Sequence, residues 1–282
     1  MQRVAVREYD DGSVREREDR LATEEPLEIR LGWPGHPPAR LNVTMRTPGH
    51  DFELVAGFLH GEGIIEVGSD LHTVSYCLEP TLSAEQQWNV VTASLAGLPR
   101  RAPPARYAGP TGSAAGSACG VCGKESIDEV LAPGDVGDLR QQWPGTTVWP
   151  HVLAGLPETL RAGQRLFDRT GGVHAAGLFD IDGDPVAVRE DVGRHNALDK
   201  VIGSRLLSDS VTEQVPPLLC VSGRIGFELV QKAVVAGVCV IAAVGAPSSL
   251  AVDLAAAAGL CVVGFVRDRR FVVYTAPERV AE

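Results

Sequence analysis

Three short apolar runs near the C-terminus, PLLCVSG (217–223), VCVIAAVG (238–245) and LCVVGFV (260–266), constrain the fold more than any other feature. Each has the length and β-branched content of a strand buried on both faces. FELVQKAVVAG (227–237) and SSLAVDLAAAAG (248–259) lie between them, both helical in pattern and both closed by glycine. The order is therefore β-α-β-α-β, with RRFVVYT (269–275) as a last strand. This order predicts an α/β fold: a mostly parallel sheet with helices on both faces and right-handed crossovers.

A parallel sheet presents ligands outside the carboxyl ends of its strands. Those ends read SGR (222–224), GAPSS (245–249) and FVRDRR (265–270). The first two lead into helix N-termini, whose free N–H groups suit phosphate. The third offers Arg267, Arg269 and Arg270, whose planar forks suit pyrophosphate; a plain charged hairpin turn reads equally well.

Upstream, TGGVHAAGLFD (170–180) and VREDVGRHNALDK (188–200) crowd polar groups around a helix start. Gly171 and Gly172 imply an unusual backbone before His174. Asp191, Arg194, His195, Asn196 and Asp199 read as a site lining, with a helix cap built from Asp191 as the plainer reading. His195 and Asp199 are i,i+4 and within reach of each other.

The N-terminal third alternates as strands do. VAVREYDDGSVRERE carries the hairpin signal Asp11-Gly12, PLEIRL and ARLNVTMRT follow, and residues 71–95 resume the pattern. The dense charge from Arg7 to Glu25 reads as solvated strand faces. TPGHDFELVAGFLHGEGII is a helix started by Pro48 and Asp51 and stopped by Gly61 and Gly63. HVLAGLPETLRAGQRLFDRT (151–170) reads as one helix. The expected division is a β-rich part with one helix (1–98), a Gly/Pro/Ser-rich loop (99–125) and an α/β core (126–282).

With 26 basic against 36 acidic residues the chain has a net charge of −10, which argues against a nucleic-acid-binding protein. No apolar run reaches membrane-spanning length, and MQRVAVREYDDG has charges where a signal peptide needs apolar residues. The reading is cytoplasmic. Cys77, Cys220, Cys239 and Cys261 have apolar neighbours and read as buried hydrophobes.

Cys119 and Cys122, in GSACGVCGKES (116–126), are different. They close a flexible segment whose continuation SIDEVL reads as a short helix opened by a capping box of Ser126 and Glu129. A structural zinc needs four ligands; His174 and His195 could complete a set through space. A redox pair is a second use. A thiol on a mobile arm is a third, collecting a group from a donor and giving it to an acceptor, with Lys124 favouring the thiolate.

ACGVCGKESID, TGGVHAAGLFD, REDVGRHNALDK, GRIGFELVQKAVVAGV and VGFVRDRRFVVYT together resemble the FdhD family of formate dehydrogenase accessory sulfurtransferases, and TPGHDFELVAGFLHGEGII is similar to its N-terminal half. The resemblance implies a cytoplasmic homodimer with a core similar to the cytidine deaminase fold. It implies that persulfide sulfur passes from a cysteine desulfurase to the bis-molybdopterin guanine dinucleotide cofactor, which then enters formate dehydrogenase. Cys119 would carry the persulfide, Cys122 would assist, and Phe265, Val266, Arg267, Asp268, Arg269 and Arg270 would bind the cofactor. His174 and His195 would shuttle protons. A non-catalytic cofactor-binding chaperone is the alternative, and a zinc-stabilised module a third. The His-x-Glu and Pro-Cys-x-x-Cys signature of zinc deaminases is absent, so deamination and a resident metal are not expected.

Overall fold

The structure, a computed structural model, describes residues 1–77, 83–103, 138–208 and 215–282. Cys119, Cys122 and the SIDEVL helix lie outside the described residues.

The chain opens with β1 (Gln2–Asp10) and β2 (Ser13–Leu21), a hairpin that forms a two-stranded sheet of its own. Asp11 and Gly12 both take positive φ, 41° and 80°, the turn geometry that an Asp-Gly pair favours. Arg17 with Glu8 and Arg7 with Glu16 join the strands at 3.0 and 3.2 Å. The charge is thus a solvated strand surface, and exposed pairs of this kind contribute about 0–1 kcal/mol each.

Next come β3 (Glu25–Trp33), β4 (His36–Arg46), helix α1 (Asp51–Gly61), β5 (Leu71–Tyr76) and β6 (Val90–Leu95). The four strands form one sheet in the order β4-β3-β6-β5. Alternation places Leu27, Ile29 and Leu31 of β3 with Val91, Ala93 and Leu95 of β6, and these pack with Leu54, Val55, Phe58 and Leu59 of α1 in one apolar cluster.

Helix α2 (Pro150–Ala162) leads through a single helical turn, 167–170, to β7 (His174–Phe179) and β8 (Pro185–Asp191). The segment 151–170, expected as one helix, is therefore two. The break falls at Gly163, which caps α2 and approaches Val188 so closely that a Cβ there would lie 3.0 Å from its side chain. The rest is α3 (Arg194–Leu206), β9 (Leu218–Val221), α4 (Phe227–Val235), β10 (Val240–Ala243), α5 (Ser249–Ala258), β11 (Cys261–Arg267) and β12 (Arg270–Val273).

The second sheet runs β12-β11-β10-β9-β7-β8. Only β9-β10-β11 is parallel; β7 is antiparallel to both β8 and β9, and β12 is antiparallel to β11. The expectation of a mostly parallel sheet is corrected to a mixed one. The helix after β8 returns the chain to β9 beside β7, and the short link after β11 can only make a hairpin. Helices do cover both faces. Val188 of β8 meets Gly163 at the end of α2, whereas Arg189 reaches Glu53 of α1 and Asp191 reaches Lys200 of α3. Neighbouring residues of a strand point to opposite faces, so α2 lies on one side and α3 with α1 on the other. Cys77, Cys220, Cys239 and Cys261 are all buried; burial pushes the thiols of Cys220 and Cys261 up to about 12. They are core atoms, not reagents.

Helices α1 and α3 together form the layer between the two sheets, α1 on the first and α3 on the second, and they cross with backbones in contact. A Cβ on Gly57 would stand 1.9 Å from the Asp199 carbonyl oxygen, and one on Gly203 would stand 1.8 Å from that of Glu53. Backbone cannot yield as a side-chain tip does. We expect Gly203→Ala to cost at least about 3 kcal/mol by overpacking, lowering the thermal midpoint by roughly 6–12 °C. Circular dichroism melting checks this; an unchanged midpoint would contradict the crossing.

Candidate functional site

The carboxyl ends of β9, β10 and β11 open on a cleft of about 1470 Å³, larger than the roughly 300–1,000 Å³ of ordinary small-ligand pockets. Ser222, Val244 and Val266 form its strand-end wall, and His174 and Val192 join them from β7 and the turn before α3. Arg267, Asp268 and Arg269 stand at one end, and His151, Glu158 and Arg161 line the side made by α2. The sheet order thus brings together strand ends that lie far apart in the chain.

The β11–β12 link is strained. Asp268 and Arg269 take φ of 49° and 64°, and Phe265, at an irregularity in the strand pairing, takes 54°. Asp tolerates the left-handed region; Arg and Phe do so at a cost of about 1–2 kcal/mol each. The Phe265 N–H donates to the Gly245 carbonyl at 3.1 Å, which holds the kink, and its ring is 37% exposed. Strain of this sort is concentrated where side chains are aimed at a ligand. Of the stretch 265–270, Val266 through Arg269 line the cleft, while Phe265 and Arg270 flank it. Around the cleft Arg161 is tied to Asp168 at 2.6 Å and lies over the Phe167 ring.

The polar group at 191–200 behaves differently from a site lining. Asp191 is wholly buried, and its carboxylate meets the Lys200 ammonium at 2.7 Å. It also accepts the N–H groups of Thr47 and Gly193. Lys200 donates to the Thr47 carbonyl at 2.7 Å, and Asn196 donates to that of Met45 at 2.7 Å. These side chains fasten α3 to the end of β4. Gly193, not Asp191, is the residue at the helix cap. Asp199 pairs with Lys232 at 2.6 Å and His195 with Glu228 at 2.9 Å; His195 and Asp199 thus each have a partner on α4. The site-lining reading is corrected for Asp191, Asn196 and Asp199, because burial on the α1 side gives them internal partners first.

His174 is the exception. It lines the cleft, and burial, then the charges of Arg194 and His195, push its imidazole below the ordinary histidine range. His195 is buried and pairs with Glu228 instead. The sequence signal missed here was Arg161: a residue on the outward stripe of α2 reaches the cleft only because of how the helix lies on the sheet. Among the described residues no cluster of three or more metal-ligating side chains is found, and no helix is long and apolar enough to cross a membrane.

Removing one member of the Asp191–Lys200 pair strands a buried charge. Lys200→Met is expected to cost about 3–5 kcal/mol, and adding Asp191→Asn is expected to restore part of that. Urea unfolding of the two variants measures the difference; equal loss in both would contradict the pairing.

Comparison with known proteins adds to this geometry. A family model described as the FdhD/NarQ family matches residues 22–281. The sulfur carrier protein FdhD of Streptomyces coelicolor is 49% identical over 276 residues, covering 96% of this chain and 92% of that one. The same-named protein of Nocardia farcinica is 49% identical over 280 residues, 99% and 94% of the two chains. That of Mycobacterium tuberculosis is 47% identical over 283 residues, 98% and 96%. A crystal structure of a protein designated a formate dehydrogenase accessory protein, from Desulfotalea psychrophila, superposes with a TM-score of 0.71 over 99% of both chains at 23% identity. That likeness speaks to the fold.

Proposed function

This chain belongs to the FdhD/NarQ family, and from that premise we propose that it is a cytoplasmic sulfurtransferase serving formate dehydrogenase. It takes persulfide sulfur from a cysteine desulfurase and passes it to the bis-molybdopterin guanine dinucleotide cofactor. The reading also takes the molecule as a homodimer and the six-stranded sheet as the part similar to the cytidine deaminase fold. The observation that carries it is the cleft: an oversized cavity at strand ends, with arginines at its rim in a protein of net charge −10.

The donor-facing step belongs to Cys119. Its thiolate attacks the outer sulfur of the donor's persulfide; a new S–S bond forms at Cys119, the old one breaks, and the donor leaves as a thiolate. Nothing is oxidised overall. Release of that sulfur as hydrosulfide needs two electrons, and Cys122 supplies them. Its thiolate attacks the Cys119 sulfur, closing a Cys119–Cys122 disulfide that a cellular dithiol reduces again.

The cofactor is cargo and acceptor, and the residues present fit it. Arg267 and Arg269, held on the strained hairpin, suit its diphosphate by charge and by forked geometry. Phe265, half-exposed beside them, offers an aromatic face to a purine. The cofactor supplies the metal that receives sulfur; the chain holds its phosphates and keeps the strand-end wall of valines dry.

After incubation with a cysteine desulfurase and cysteine, intact-mass spectrometry should show a sulfur adduct on the wild type that reductant removes. Cys119→Ala should lack it. An adduct absent from wild type, with the desulfurase verified as active, overturns the sulfur-transfer reading in favour of a cofactor-binding chaperone.

Replacing both Arg267 and Arg269 with Gln should weaken binding of guanosine diphosphate, the fragment used as probe in calorimetry. At about 1.5–3 kcal/mol for each charged hydrogen bond lost, the drop is at least tenfold. Unchanged affinity would remove the hairpin from the site.

A further inference from the structure

One polar side chain of the cleft is buried without a partner. Gln164 lines the cleft just past the end of α2 and is only 4% exposed. Its backbone is engaged: the N–H donates to the Arg161 carbonyl and the carbonyl accepts the Asp168 N–H, both at 3.1 Å. Its side-chain amide makes no hydrogen bond among the described residues. Both amide atoms nonetheless retain access to the cleft. A buried amide is ordinarily paired, because leaving it bare forfeits its hydration for nothing. The direction left open to this one is the cleft. A carboxamide sets an N–H donor beside a carbonyl acceptor, so the matching ligand edge has an acceptor beside a donor.

The surroundings narrow the class further. Arg161, Gln164 and Phe167 follow one another at three-residue spacing and all line the cleft. The Arg161 guanidinium lies over the Phe167 ring, 4.7 Å from its centroid, and Asp168 holds it there at 2.6 Å. Stacked guanidinium and ring make a flat platform, the kind of surface on which planar heteroaromatic rings lie. Glu190 accepts the N–H groups of Leu166 and Phe167, both at 2.8 Å, so the turn that carries the platform is anchored to β8. Gly171 and Gly172 line the same end without side chains, and a Cβ on Gly171 would meet nothing within 4 Å. An amide beside a platform with open space suits the 2-amino-4-oxopyrimidine edge, which guanine and pterin share.

Position decides between the two. Gln164 follows Gly163, which abuts Val188 of β8, whereas the strained hairpin follows β11. These strands are four spacings apart in the sheet, about 19 Å at about 4.8 Å each. A ring lying on Phe265 is therefore out of reach of Gln164. One ligand meets both places if it carries two such rings joined through a diphosphate. We propose that Gln164 reads the edge of the pterin, which lies on the Arg161–Phe167 platform while the hairpin holds diphosphate and guanine. The proposal rests on the cofactor-binding part of the reading above and deepens it: Gln164 is the specificity-determining residue for the pterin end.

The test uses two probes on the full-length protein, neopterin as a pterin without phosphate and guanosine diphosphate. Pterin fluorescence follows the first and calorimetry the second. Neopterin should bind saturably to the wild type and about tenfold more weakly to Gln164→Leu, since two neutral hydrogen bonds are lost. Guanosine diphosphate should bind that variant as it binds the wild type. Replacing Arg267 and Arg269 with Gln should do the reverse. The thermal midpoint of Gln164→Leu should not fall, because the amide has no internal partner to lose.

Absence of saturable neopterin binding to the wild type overturns the proposal. So does equal binding to Gln164→Leu with the fold intact by circular dichroism. Weakened guanosine diphosphate with unchanged neopterin would give the edge to guanine and overturn the pterin assignment. A lowered midpoint would mean that the amide is used in folding, which also overturns it. Loss of the Cys119 mass adduct would sink sulfur transfer without touching the neopterin titration, so the two failures are separable.

Discussion

Contact between the backbones of α1 and α3 is what the rest of the molecule is arranged around. The N-terminal sheet buries its apolar side against α1, and the second sheet receives α3. The two halves meet where Gly57 and Gly203 let the helices touch. So close an approach leaves no room for apolar side chains at the crossing itself. Polar groups fasten the edges instead: Glu53 with Arg189 on one side, and Asp191 with Lys200, Asn196 and the end of β4 on the other. Buried ions of this kind add little net stability, because desolvation consumes most of the attraction. Their effect is to set one orientation, since any other would leave a charge unpaired.

That orientation has a consequence at the far end of α3. Its N-terminus, the first residue of β7 and the carboxyl ends of three parallel strands are brought to one edge of the sheet. The outward stripe of α2 closes the other side. The cleft that results is polarised. Arg267 and Arg269 stand at the hairpin end, His174 and Ser222 line the part beside β7, and valines line the strand-end wall. An acidic protein that keeps arginines here, two of them on a turn with non-glycine residues at positive φ, maintains local strain and local repulsion together. An anionic ligand would offset that repulsion, which connects the fold to the proposed handling of a dinucleotide.

Much of this was legible in the chain. The β-α-β-α-β run of residues 217–266, the Asp11-Gly12 hairpin, the helix at 51–61 and the burial of four cysteines follow from period, turn chemistry and apolar neighbours. These are local properties, decided within a few residues. The strand ends at 222–224, 245–249 and 265–270 could also be named as ligand-facing, because a parallel sheet has only one such edge. The sense of β7 and β8 was not legible, nor was the break at Gly163. Each depends on which neighbour a segment finds, and nothing in its own spacing records that.

The same division runs through the site. Sequence by itself determined which residue types are present: a thiol pair, arginines after a buried strand, and a histidine and arginine beside glycines. Only tertiary structure decided which of them are spent inside the protein and which face the cleft. Asp191, Asn196 and Asp199 look as functional as His174 and Arg194 in the string of letters. The first three are consumed by Lys200, Met45 and Lys232, because those partners arrive with the packing of α1, β4 and α4. His174 lies beyond that packing, and so its ring faces the cleft. Charge compensation acts through space over a few ångströms, whereas sequence records only order along the chain.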